Sequence, residues 1–540
     1  MKEKAQTIGA GFVILSVANI LVKVMSLVFV PLIRGLLGGD AGYSVYNSAY
    51  SVYAFVYVIA TAGFPVAVSK LVSEFTGTNR TKEAMRAFRL ARTLLIVLGT
   101  VLTALVMLFA KPIAVWMNNA DSWGGILCLA PTLFICAVLS AYRGYFQGRK
   151  NMRPTAVSQI AEQLVHVAVS IVLVFLLRSK GIVWAVAGAS IGTAVGAAAA
   201  LVIVMYKFRA EKSVINQAIR AEREMQERGA GGTMDTASLL KRIFYYSLPI
   251  MLSSGVQYGG DLLDSKMIKG GLVVSGFTEY GAQSVHGAYM AMRQLINVPS
   301  ALATALCISV LPVIAGAYAR NDKNAVSQNA SYGFKLCYMA AVPISFAMVI
   351  FGQPIYRLLG YGNNFFLLML SALSVLLLCT MHLQSSILQG INKMFTSSVF
   401  LCISVIVKVI LNYILIRIPS VHIFGAVIST YAAYAIPVLL NGNAIRKAGV
   451  KIPVLRSLMP PVVASTVMVL SSYILYSILN SVIGIFTKGY IGCVLAFLPA
   501  VVFAVLVYYF SMRKMGALKD SDISQISPAL LRLLKKIKLA

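Results

Sequence analysis

Apolar runs of 18 residues or more recur along the whole chain, parted by short polar segments. Each is long enough to cross a hydrocarbon layer of about 30 Å as an α-helix. About fourteen spans are expected, at 8–30, 43–66, 92–110, 124–141, 155–177, 181–206, 243–262, 285–316, 334–352, 365–388, 396–416, 423–441, 460–480 and 490–510. The second, seventh and eighth are the least apolar, being rich in Gly, Tyr, Ser and Gln. In lipid each backbone polar group must find its partner internally, so the pattern predicts an all-α polytopic membrane protein.

The pattern also repeats. YFQGRKNMRPTAV at 145–157 returns as ILQGINKMFTSSV at 387–399, pairing Gln147-Gly148 with Gln389-Gly390, Met152 with Met394 and Val157 with Val399 at an offset of 242. GFPVAVSKLVSEFTGTN (63–79) likewise resembles CISVLPVIAGAYARND (307–322). The loop copies lie six spans apart, an even number, so they face the same side. Two six-helix lobes in parallel orientation follow, 1–206 and 243–441, the arrangement of many secondary transporters. A cytoplasmic linker (207–242), two added helices (442–510) and a basic amphipathic tail (511–540) complete the expected organisation. The linker reads as a short surface helix followed by a Gly-rich stretch; the tail should lie on the membrane surface.

Composition narrows the class. With 59% hydrophobic and 12% charged residues and a mean hydropathy of +0.81, the 540-residue chain has more apolar surface than a soluble fold can hide. The N-terminal apolar run contains Asn19 and Lys23 and lacks a small-residue cleavage site, so it does not read as a cleavable signal. The net charge of +30 concentrates in alternate loops, which sets both termini in the cytoplasm. That charge answers to topology and to anionic membrane lipids; no basic domain suited to nucleic acid is visible. The seven cysteines sit in apolar stretches without a C-x-x-C, and no phosphate loop or H-E-x-x-H occurs. Neither an enzyme, nor a metal, nor a cofactor is expected; work must come from a coupling cation (Na+ or H+), the membrane potential or the substrate gradient.

Ionisable groups inside spans are costly and mark candidate sites. Ser16, Asn19, Lys23 and Ser26 share one face of the first span, and Arg34 returns to nearly that face three turns on. Gln159, Glu162, Gln163 and His166 form a stripe on the fifth. The eighth carries His286, Arg293 and Asn297; the eleventh carries Lys408, the repeat counterpart of His166, and Asn412. Such stripes either neutralise one another, as Glu162 would with Lys23 or Arg293, or line a cavity. Lys23, Arg34, Arg293 and Lys408 outnumber Glu162, and surplus positive charge suits an anionic, phosphate-bearing ligand. Gln257, Asp261 and Asp264 on the seventh span could hold a coupling cation or be solvated at the outer surface. Tyr43, Tyr46, Tyr50, Tyr53 and Tyr57 form a helical stripe that suits packing, an interfacial belt or sugar stacking.

The stretch ILSVANILVKVMSLVFVPLIRGLLGGDAGYSVYNSAYSVYAFVYVIATAGFPVAVSKLVSE (14–74) resembles the start of the stage V sporulation protein B-like polysaccharide transporters. AMRQLINVPSALATALCISVLPVIAGAYA (291–319) resembles their eighth helix. These transporters belong to the multidrug/oligosaccharidyl-lipid/polysaccharide (MOP) exporter superfamily, with the lipid II flippases. The resemblance implies alternating access. It also implies a polyprenyl-pyrophosphate-linked saccharide, lipid II first, moved from the inner to the outer leaflet of a bacterial plasma membrane. Lys23 and Arg293 match two cavity cations of that family, whereas no Arg stands in the body of the second span and Met292 replaces an acidic residue. The pyrophosphate would sit near Lys23, Arg34 and Arg293, with the lipid tail along the two last helices; cell-wall synthesis enzymes are candidate partners. A multidrug or cation antiporter, or a non-transporting scaffold for wall synthesis, are the alternatives.

Overall fold

The computed structural model describes residues 8–78, 80–226, 235–486 and 490–520. These form α1 (Ile8–Leu36), α2 (Asp40–Thr61), α3 (Phe64–Gly77), α4 (Thr81–Leu108), α5 (Ala110–Trp116), α6 (Trp123–Gly148), α7 (Arg153–Leu177), α8 (Ile182–Gln226) and α9 (Thr236–Val274). They continue as α10 (Glu279–Ala319), α11 (Lys323–Ile350), α12 (Gly352–Leu359), α13 (Phe365–Ser371), α14 (Ser374–Gly390), α15 (Met394–Leu415), α16 (Ile423–Lys447), α17 (Val454–Phe486) and α18 (Tyr490–Lys514).

Among the described residues, eleven helical segments are long and apolar enough to cross a membrane, or twelve if α13 and α14, bent by 43°, count as one span. Of the fourteen expected spans, α9 and α10 are not among these. At 39 and 41 residues they are about 58 and 61 Å long, ample for a bilayer. In α9 polarity is the reason, since it carries Asp261, Asp264, Lys266 and Lys269, whereas α10 holds an apolar run without a charge over 298–315. The linker is also different from its expectation. The sixth span does not stop near 206; α8 runs unbroken for 45 residues, about 68 Å, so the "surface helix" is its continuation. Residues 227–234 and most of the tail (521–540) lie outside the described residues.

The chain forms two compact units. The first comprises Met1–Gln294 with Leu401–Ser429, the second Leu295–Phe400 with Thr430–Ala540. In the first unit α7 and α8 pack through glycines at every fourth residue. A Cβ on Gly188, Gly192 or Gly196 would stand 3.1, 2.1 or 2.6 Å from atoms of Leu173, Ser170 or Glu162, so only Gly lets the backbones approach. Without a hydrophobic drive between helices in lipid, such close contact supplies the association energy. A core of Phe64, Leu71, Phe75, Phe88, Tyr145 and Phe146 joins α3, α4 and α6. In the second unit Phe351, Tyr476, Ala496 and Ala500 tie α17 and α18 together.

The repeated loop has one geometry in both copies. After α6, Lys150 takes φ 57°, with its N–H on the Gln147 carbonyl (3.0 Å) and the Asn151 N–H on Phe146 (3.0 Å). After α14, Asn392 takes φ 60°, with its N–H on Gln389 (3.2 Å) and the Lys393 N–H on Leu388 (2.7 Å). Each Gly of the Gln-Gly pair backs closely onto another helix: Gly148 onto Ser69 of α3, Gly390 onto Ile314 of α10. The matched sequence thus encodes a matched turn and a matched seat.

Candidate functional site

The polar residues of α9, α10, α15 and α16 meet inside the first unit. Asp264 is fully buried. Its carboxylate accepts from the Lys408 ammonium and, at 2.7 Å, from Asn412 Nδ2. Arg293 Nη1 lies 3.6 Å away, while Arg293 Nη2 donates to Asp261 at 2.5 Å. Ser429 donates to Asn412 Oδ1, which fixes the amide so that its NH2 faces Asp264. Two carboxylates face two cations, so the cluster is close to neutral, the only inexpensive way to bury such charges. Asp264 is therefore not a solvated outer-surface carboxylate; Asp261, with its side chain 40% exposed, is the open end of the cluster. Next to it His286 is buried, with Nδ1 2.7 Å from Ser44 Oγ and Nε2 3.3 Å from Ser265 Oγ, linking α2, α10 and α9.

Arg34 is buried too, and its Nε donates to Asp40 at 2.5 Å. The pair closes the reversal between α1 and α2, where Gly38 and Gly39 take φ 84° and 99°. Glu162 pairs with Arg143 of α6 at 2.7 Å, not with Lys23 or Arg293, and Arg143 Nε also donates to Ser158 at 3.0 Å. The expected excess of cations over Glu162 omitted these partners: Asp40, Asp261 and Asp264 answer Arg34, Arg293 and Lys408. Arg143 itself was missed, because it sits one turn before the repeated loop and reads as a loop charge. The His166 ring lies 4.8 Å from that of Phe29, tilted by 55°, and its buried Nε2 has no hydrogen-bond partner among the described residues. Asn297 is exposed in the second unit, four residues along α10 from Arg293. The tyrosines run as a ladder with adjacent ring centroids 5.5–6.1 Å apart. Tyr43, Tyr46 and Tyr53 are buried, so packing accounts for those three.

Lys23 differs from all of these. It is exposed, as is Asn19, and among the described residues no carboxylate lies within ion-pair distance of its ammonium. On the other side of α1, about half a turn away, Val17, Leu21, Val24, Val28 and Leu32 form an exposed apolar stripe. An apolar exposed face suits lipid and a charged one does not. Helix α1 is thus a wall with two unlike open faces.

The fold is that of the MOP-superfamily transporters. A lipid II flippase MurJ in an inward closed conformation superposes with a TM-score of 0.66 at 14% identity, covering 93% of this chain and 99% of that one. An inward-facing multidrug resistance MATE family transporter gives 0.63 at 15%, covering 80% and 99%. The chain belongs to the polysaccharide biosynthesis protein family, whose model matches residues 8–318; the MatE family model matches 249–414. Three relatives from Bacillus subtilis (strain 168) are similar over most of their length. They are the membrane protein YabM (25% identical; 97% of this chain, 95% of the relative), stage V sporulation protein B (24%; 82% and 84%) and the lipid II flippase MurJ (23%; 81% and 82%). The functions named among these proteins are flipping and multidrug transport, not catalysis, and the chain is a multi-pass membrane protein of that transport class.

Proposed function

We propose that this protein is a flippase that carries a polyprenyl-pyrophosphate-linked cell-wall saccharide, with lipid II as first candidate, from the inner to the outer leaflet by alternating access. Both termini lie in the cytoplasm of a bacterial cell, and the two halves marked by the repeated loop act as the lobes. The observation that carries this reading is Lys23: an exposed ammonium with no carboxylate in ion-pair reach among the described residues, on the polar face of a helix whose opposite face suits lipid. A pyrophosphate supplies the missing countercharge, and its lipid tail has apolar surface to follow. Asn19 offers a neighbouring amide, while Arg34 and Arg293 contribute from their carboxylate partners only if those pairs open. The family match and the flippase among the relatives support the same class.

The MatE match over 249–414 favours one second reading, because it covers Asp261 and Asp264. There the cluster would take up Na+ or H+, or a cationic cargo, in exchange for Arg293 or Lys408. Its near-neutral balance leaves no net negative charge to attract a cation, so we assign it at most a coupling role. Two measurements separate the readings: leaflet distribution of lipid-linked precursor in cells depleted of the protein, and rescue by Lys23→Arg and Lys23→Glu. Flippase action predicts precursor held in the inner leaflet, partial rescue by Arg and none by Glu. Normal precursor distribution on depletion, or full rescue by Glu, would remove lipid II-type cargo from consideration.

A further inference from the structure

A cavity of about 760 Å³ opens within the second unit, between the first half of α11, the start of α17 and the end of α18. It lies well away in sequence from the polar cluster described above, and nothing in the transport reading uses it. Its lining has a direction. Along α11 it passes from Ser327 through Ser331 to Lys335 and then Met339, a single helix face some 18 Å long. Along α17 it passes from Arg456 to Pro460 and Pro461, and Lys451 stands at the mouth just before that helix. Met512 of α18 closes the apolar side. Ser327 and Lys451 therefore lie toward one end and Met339, Pro460 and Pro461 toward the other, with Lys335 and Arg456 one turn before these; Pro453 and Met515 add apolar surface near the first end. No Asp or Glu is among the described lining residues.

This gradient is that of a membrane lipid seen end-on: phosphate and polar headgroup at the interface, acyl chain below. We propose that this cavity binds the phosphate-bearing headgroup of an anionic lipid, with Lys335, Lys451 and Arg456 around the phosphate and Met339 and Met512 against the first part of the acyl chain. The lining side chains suit the task. Lys451 and Arg456 are exposed, Lys335 half-buried, and long Lys and Arg stems cover apolar surface while their heads reach the interface. A free phosphate or soluble phosphate ester shares the anionic part of this chemistry but makes no use of the apolar end. The chain's own residues 521–540 come soon after α18, but they carry four Lys and Arg against one Asp, the wrong sign for this cavity. The site stands whether or not the proposed flippase activity does.

The test uses the full-length protein in detergent, measuring the binding of phosphatidylglycerol against phosphatidylcholine by native mass spectrometry. Retained phosphatidylglycerol should exceed phosphatidylcholine. Lys451→Gln, at an exposed position before α17 where folding is not at risk, should weaken its binding roughly fivefold, and the triple exchange K335Q, K451Q and R456Q far more. Inorganic phosphate at millimolar concentration should not displace the lipid. Equal retention of the two lipids, an unchanged Lys451→Gln and triple variant, or complete displacement by inorganic phosphate would each overturn the assignment, the last in favour of a free-anion site.

Discussion

Helices α1 and α7 in the first half of the chain and α9 and α15 in the second hold corresponding places around the repeated loop, yet they treat intramembrane charge in opposite ways. Helix α9 carries two carboxylates, and α15 answers one of them with Lys408 and Asn412. Helix α1 carries no carboxylate at all, and α7 places at the position matching Lys408 a neutral candidate, His166, whose Nε2 stays unpartnered among the described residues. The position matching Asn412 is Ser170, which donates to the Ala189 carbonyl at 2.8 Å and holds α8 in place. One half has closed its charges into a bonded cluster. The other has left a cation in the open. A duplicated scaffold can thus keep its turns and helix seats while one copy becomes a strut and the other stays available to a ligand.

The strongest way to break this comparison is Asp264→Ala. It strands Lys408 and leaves Asn412 and Arg293 without their shared acceptor. An uncompensated buried charge costs about 3–5 kcal/mol, so the purified variant should melt far below the parent or fail to accumulate. Replacing the pair together, Asp264→Leu with Lys408→Met, should recover most of that loss, since an apolar pair of similar volume has no charge to desolvate. If Asp264→Ala melts with the parent, the cluster is not a strut and the contrast between the halves fails.

A smaller effect is expected at Arg143–Glu162, an ion pair that crosses from α6 to the α7 stripe. Its side chains are 14% and 28% exposed, so solvent screens the pair and a charged hydrogen bond is the larger part of its worth. Glu162→Gln should cost about 1–2 kcal/mol in thermal stability, clearly less than Asp264→Ala. A loss as large would place this pair with the buried cluster instead.

These pairs also mark where the sequence could be read and where it could not. Helical periodicity put His286, Arg293, Lys408 and Asn412 on faces that do turn into protein, whereas Asn19, Lys23 and Asn297 of the same stripes are exposed. The Gln-Gly loop was legible for a local reason, since a positive φ at Lys150 and Asn392 and a glycine against a neighbouring helix are requirements of a few consecutive residues. Partnership was not legible. Asp264 and Lys408 are 144 residues apart, and a face pattern says that a residue turns inward without saying what it meets. The same gap led to counting cations without Asp40 and Asp261. Helix α9 reads as one of the least apolar spans for a related reason: its carboxylates are satisfied by Arg293, Lys408 and Asn412, so it need not be a continuous apolar run.

The smallest effect on stability belongs to Lys23→Ala, and there the comparison becomes sharpest. Lys23 has no carboxylate to strand among the described residues, so its removal should leave the stability of the purified protein, read by thermal melting, within about 0.5 kcal/mol of the parent, as for an exposed position. Transport should nonetheless fall. Losing one charge-assisted contact to a phosphate costs about 1.5–3 kcal/mol, or roughly ten- to a hundredfold in binding. Lys23→Arg keeps the charge and should retain part of the flipping. Lys23→Glu should be worse than Ala, because it would repel the proposed pyrophosphate. The signature of an available cation is thus a stable protein with lost transport, whereas the signature of a strut is lost stability. Precursor flipping and thermal melting measured on Asp264→Ala and Lys23→Ala side by side should separate cleanly along those two axes. A destabilised Lys23→Ala, or one that flips normally, would mean that α1 presents its ammonium to something other than the cargo.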